Sequence, residues 1–220
     1  DSAGRLPGDP RLLVESRGAI GWCETRRTRG SLLIDKTCPA GSEAYAAQAL
    51  VPLLFELALD RGWLGIHAAA VAIDGRGLLL PAASGSGKST LFAQAAAAGF
   101  DLLSDDLVWL RPTETGWWMQ PFPRGLPQVE SPDPTIDGAA VTAIVAPSIS
   151  KAAEHEISTC STTDLVHLLL PETGLIPSSS RAGLGFQRAV AVAGSAPAFR
   201  LAVGWQRPAA EALRRILDSI

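Results

Sequence analysis

The sequence predicts an α/β fold organised around one strand–loop–helix unit. Three observations carry that expectation. An Asp74-Gly75 turn separates two apolar runs, a Gly- and Ser-rich loop ends in Gly87-Lys88-Ser89, and an Ala-rich stretch with helical character follows and stops at Gly99. At 220 residues, 47% hydrophobic and 19% charged, the chain suits a globular core. A formal net charge of -3 argues against nucleic-acid binding as the main task.

Taken in order, the first forty residues read as short strands at 12–15, 19–23 and 31–34, split by Gly- and Arg-rich stretches. They form a candidate small β extension at the N-terminus of one domain spanning 1–220. Residues 43–61 read as a helix with Ala46, Leu50, Leu53, Leu54 and Leu57 on its apolar face; Pro52 should kink or restart it, and Gly62 should end it. The apolar runs 65–73 and 78–80 then form a hairpin across the Asp-Gly turn, and its second strand feeds the loop. Residues 89–98 read as a helix, 102–110 as one strand and 116–120 as its hairpin partner. Pro121, Pro123, Pro127, Pro132 and Pro134 mark 121–134 as a loop region. Beyond it, 139–146 reads as a strand, 147–160 as polar and unpatterned, 164–170 as a short helix, 178–180 as a loop, 189–193 and 198–203 as strands, and 208–220 as a closing amphipathic helix.

The loop carries the strongest chemical signal. Its residues Ser84, Gly85, Ser86, Gly87, Lys88, Ser89 and Thr90 match the end of the G-x-x-x-x-G-K-[ST] phosphate template, with Ala82 in place of the first glycine. Glycines let backbone N–H groups turn against phosphate oxygens, and the following helix adds the partial positive charge of its N-terminus. Lys88 would bridge the outer phosphates of a nucleotide, and the Ser89 hydroxyl would ligate Mg²⁺. The bland alternative is a Gly/Ser turn that happens to precede a lysine.

Asp105 and Asp106 fall within the apolar stretch 102–110. Unpaired buried carboxylates are costly, so two neighbouring acids there suggest metal binding and proton transfer; solvated carboxylates in a strand-end turn are the alternative. His67 lies on the strand that opens the hairpin. Alone it would read as a core histidine with a satisfied hydrogen bond, but beside the acidic pair it reads as a proton-handling or Asp-orienting group. Arg124 and Arg181 are candidates to neutralise charge during phosphoryl transfer, against a surface role. Cys23, Cys38 and Cys160 lack metal-ligand spacing and read as reduced thiols. No apolar run reaches the roughly 18 residues of a membrane span. The expectation is a cytoplasmic protein with neither a membrane nor a nucleic acid as partner.

The order of these residues resembles the HPr kinase/phosphorylase family and its shorter relatives. Ile66-His67, Asp74-Gly75, Ser84 to Ser89 and Leu103-Ser104-Asp105-Asp106 carry the resemblance, which covers about 64–110, and Pro121-Phe122-Pro123-Arg124 is similar more weakly. It implies a P-loop kinase of the HPr kinase and phosphoenolpyruvate carboxykinase type, with a mixed sheet and flanking helices. It implies ATP and Mg²⁺ as cofactors, with Lys88 and Ser89 binding them. Asp105 and Asp106 would share metal binding and general-base duty, with His67 supporting both acids. The acceptor implied is a serine hydroxyl on a small protein or peptide, since the short relatives include kinases of lasso-peptide precursors. Thr90 stands where the HPr-directed enzymes have an acidic residue. A homo-oligomer is compatible with the chain, and the competing function is a nucleotide-hydrolysing switch that forms no phosphorylated product.

Overall fold

Alternation with a period of two builds the first sheet. Strands β1 (Ser2–Gly4), β2 (Arg11–Ser16), β3 (Ala19–Glu24) and β4 (Arg29–Ile34) pair antiparallel in that order. Leu12 and Val14 of β2 and Ala19 and Cys23 of β3 are buried on one face, against Ala49 and Leu53 of helix α1 (Glu43–Leu59). The helix runs through Pro52 without interruption. The restart that this proline would allow does not occur. A proline removes one backbone donor, and the packing of Ala49, Leu53, Phe55 and Ala58 on either side holds the helix across the gap. The computed structural model describes residues 2–4, 11–16, 18–24, 29–35, 43–81, 86, 88–122, 137–173 and 181–220.

The second sheet has eight strands and mixed pairing. β5 (Leu64–Ile73) and β6 (Arg76–Pro81) form the expected hairpin, with both turn residues at positive φ, +52° at Asp74 and +73° at Gly75. β7 (Asp101–Ser104) and β8 (Leu107–Pro112) both pair with β5, β7 at its upper half and β8 at its lower half. β9 (Trp117–Pro121) pairs antiparallel with β8. β10 (Ala139–Ile149) runs parallel to β6, and β12 (Ala198–Val203) runs parallel to β10. β11 (Glu156–Thr159) closes the far edge, antiparallel to β12. Its residues are largely exposed, so it leaves no apolar pattern in the stretch 147–160.

Helices cover both faces. α2 (Lys88–Ala97) and α5 (Ala209–Asp218) bury Leu91, Phe92, Ala95, Leu213 and Ile216 against Ala69, Val71, Leu78 and Leu80. α3 (Thr162–Glu172) and α4 (Ala182–Ala193) bury Leu165, Leu169, Ala189 and Val192 against Ile66, Ala68 and Ala70. Each fully buried leucine there is worth about 1.5–3 kcal/mol. Residues 189–193 are therefore the end of a helix and not a strand. Five Ala and Val residues fit either period, and the helical spacing shows only when Gly185, Ala189, Val192 and Ala193 are read together. No described helix is long and apolar enough to cross a membrane.

Candidate functional site

The stretch 102–110 is not one strand. β7 ends at Ser104, Asp105 and Asp106 form a bend, and β8 starts at Leu107. The acids thus sit in a corner and not in mid-strand. The cause is local hydrogen bonding. Ser104 Oγ donates to the Leu107 carbonyl at 2.8 Å and accepts from the Asp106 N–H at 3.4 Å, an alternative to the ladder that short hydroxyl side chains favour. The Ala68 N–H donates to the Asp106 carbonyl at 2.9 Å, which ties the corner to β5. Both acids are partly buried.

The register brings this corner to His67. His67 faces Leu107 across β5 and β8, and the next residue, Ala68, pairs with Pro81 at the end of β6. β6 ends there at Pro81, and the chain returns as α2, which packs on Ala69 and Val71 of β5. His67 therefore stands next to the β5–β6 pair that closes at Pro81, beside the acidic corner. Its Nε2 lies 3.1 Å from Asp106 Oδ1. Its Nδ1 lies 2.6 Å from Oε2 of Glu172, a residue of the last turn of α3. Thr173 locks that turn: it is fully buried, and its hydroxyl donates to the Leu170 carbonyl at 2.7 Å.

Asp106, His67 and Glu172 thus form a contiguous trio, with the imidazole between two carboxyl groups. Such a unit can take up or release a proton at Asp106 while the ring stays fixed from behind. Glu172 has no motif around it, and only tertiary packing reveals it.

Of the loop residues, Ser84, Gly85 and Gly87 lie outside the described residues, while Lys88, Ser89 and Thr90 open α2. Ser86 Oγ is buried and makes no hydrogen bond among the described residues. An orphaned hydroxyl at this place fits a phosphate oxygen as partner. No group of three or more His, Cys, Asp or Glu side chains among the described residues is arranged to hold a metal ion by itself. Arg124 lies outside the described residues. Arg181 donates to Asp60 Oδ1 at 2.5 Å and to the Glu56 carbonyl at 2.9 Å, so it clamps the start of α4 to the end of α1. Cys160 is a free thiol, Cys23 is buried, and Cys38 lies outside the described residues.

No family model and no curated protein match this sequence. The solved structure of the HPr(Ser) kinase/phosphatase from Coxiella burnetii is similar in shape, with a TM-score of 0.43 and 13% identity over 70% of this chain and 88% of that one. A likeness of that degree decides nothing about activity. The mixed α/β architecture stands on this chain's own strand pairings.

Proposed function

We propose that this chain is an ATP-dependent kinase that transfers the γ-phosphoryl group to a serine hydroxyl of a peptide or small protein. One juxtaposition supports the reading: the Asp106–His67–Glu172 trio meets the strand end from which the Gly87-Lys88-Ser89 loop departs. Phosphoryl transfer needs positioning and charge neutralisation more than covalent help, and this arrangement provides both at one place.

The loop N–H groups and Lys88 would hold the outer phosphates, with Thr90 and the start of α2 behind them. Ser89 and Asp105 would hold Mg²⁺, which when bound neutralises charge on the β- and γ-phosphates. Asp106, fixed through His67, takes the proton of the acceptor hydroxyl as that oxygen bonds to the γ-phosphorus and the β,γ-bridge breaks to release ADP. His67 aligns the carboxylate, and Glu172 holds the ring. This divides the two acids: Asp106 has the base role and Asp105 the metal role.

Incubation with γ-labelled ATP and serine-containing peptides, followed by mass measurement, tests the proposal. The expected result is a peptide heavier by one phosphate, lost in Lys88→Ala and in Asp106→Asn. Nucleotide hydrolysis with no modified peptide would replace the kinase reading with the switch. Normal transfer by Lys88→Ala would remove the loop assignment.

A further inference from the structure

An open pocket of about 270 Å³ lies beside α2, at the ends of β10 and β12. Thr90, Leu91 and Gln94 of α2 form one wall, and Ile149, Ser150, Val203 and Gly204 form the floor at the ends of β10 and β12. Trp205 and Arg207 stand at the rim. We infer that this pocket receives the nucleoside end of the nucleotide, with the base stacked on Trp205. The inference rests on the phosphate-loop reading and extends it to the recognition of the donor.

Sheet order carries the argument. The strands run β12, β10, β6, β5, so β6 lies between the pocket and the acid–histidine trio. β6, β10 and β12 are parallel, and their carboxyl ends all face this crevice, where open α/β sheets bind ligands. Adjacent strands lie about 4.8 Å apart, so β5 and β12 are separated by roughly 14 Å, the scale of an extended nucleoside triphosphate. A phosphate tail laid across the loop with its terminal group toward Asp106 leads its other end into the pocket. The peptide acceptor must approach from the opposite side, where the hydroxyl meets Asp106.

The pocket's chemistry fits a base. Trp205 is 71% exposed and Ile149 is 70% exposed, two large apolar side chains left open in the lining of one pocket. Ligand pockets commonly have about 300–1,000 Å³, so this one, at about 270 Å³, lies just below that range, with room for a nucleobase. Gln94 adds a directional group. Its Oε1 accepts from the Ala209 N–H at 2.7 Å, which turns its amide nitrogen into a donor available to a ring nitrogen. The wall itself is fixed. The Trp205 N–H donates to the Ala152 carbonyl at 3.3 Å, the Gln206 N–H to the Ala153 carbonyl at 3.0 Å, and the Gly204 N–H to His155 Nδ1 at 3.0 Å. Arg207 is held at the rim by Glu154 at 3.5 Å and Glu211 at 3.8 Å.

The test compares Mg-ATP with Mg-tripolyphosphate, which has the charge but no nucleoside, by calorimetric titration of the full chain. Loss of one base–aromatic stack corresponds to roughly 5- to 150-fold in affinity. Trp205→Ala should weaken ATP within that range and leave tripolyphosphate unchanged, Trp205→Phe should recover most of the loss, and Lys88→Ala should weaken both ligands. Trp205→Ala that binds ATP normally, weakens both ligands equally, or changes only the KM for peptide overturns the inference, while a retained Lys88→Ala effect leaves the phosphate loop standing. Unchanged binding of both ligands by Lys88→Ala brings down the loop reading and the pocket assignment with it.

Discussion

Glu172 gives the most direct check on the trio, because its contribution can be measured without any assumption about activity. Its Oε2 lies 2.6 Å from His67 Nδ1, and its side chain is 13% exposed against 35% for His67. A hydrogen bond to a charged group contributes about 1.5–3 kcal/mol. The imidazole is about a third open to water, which reduces the expected value to about 1–2 kcal/mol. Glu172→Ala, His67→Ala and the double variant form a cycle that isolates this pair. Urea unfolding at neutral pH should return a coupling energy of about 1–2 kcal/mol. If the full amount also supports the transition state, kcat in Glu172→Ala falls about 5- to 30-fold while ATP affinity is kept. Glu172→Gln keeps an acceptor toward Nδ1 and should recover part of that loss, which a merely structural residue would not show. A coupling energy below about 0.3 kcal/mol, the range of independent sites, refutes the idea that Glu172 anchors the ring.

Two further outcomes follow from the same geometry. A Cβ at Gly204 would meet the Glu154 and Ala153 carbonyl oxygens, the latter at 2.6 Å, and backbone cannot move aside cheaply. Gly204→Ala should therefore cost about 1–3 kcal/mol and lower Tm by about 2–10 °C; an unchanged melt would contradict this packing. At the other end of α3, Asp164 is held below its ordinary value of 3.8 by hydrogen bonds to Ser161 and then Arg200. A carboxyl depressed by folding stabilises above its unfolded value and loses that contribution as pH falls through the folded one. The stability gap between the wild type and Asp164→Asn should hold at neutral pH and shrink as pH drops below 3.8, and unfolding curves across that range measure it.

Local patterns were legible where one element supplies the whole signal. The Asp74-Gly75 turn gave the hairpin because its two positive φ values need those residue types. The closing helix α5 was clear because its apolar stripe holds a helical period from Ala209 to Leu217. His67 and Asp106 were legible as partners because both flank the loop in sequence, and the register then sets His67 opposite Leu107, the residue after Asp106. The pattern failed where two local rules compete. At 104–107 the strand propensity of Leu and Val argued for continuity, and a serine side chain that bonds both flanking backbone groups broke it.

What could not be read shares one physical cause. Glu172, Gln94 and Trp205 carry no motif, and each acquires its place from a contact across the fold. Glu172 reaches His67 across 105 residues, and Gln94 accepts from Ala209 across 115. Trp205 shares a pocket with Thr90 of α2 only because β12 runs parallel to β10, and β10 parallel to β6. Parallel pairing needs crossover connections, so the neighbours of a parallel strand end are distant in sequence by construction. Crevices at such strand ends therefore gather residues from separate crossovers, and a phosphate loop is the one part of them that a single segment can announce.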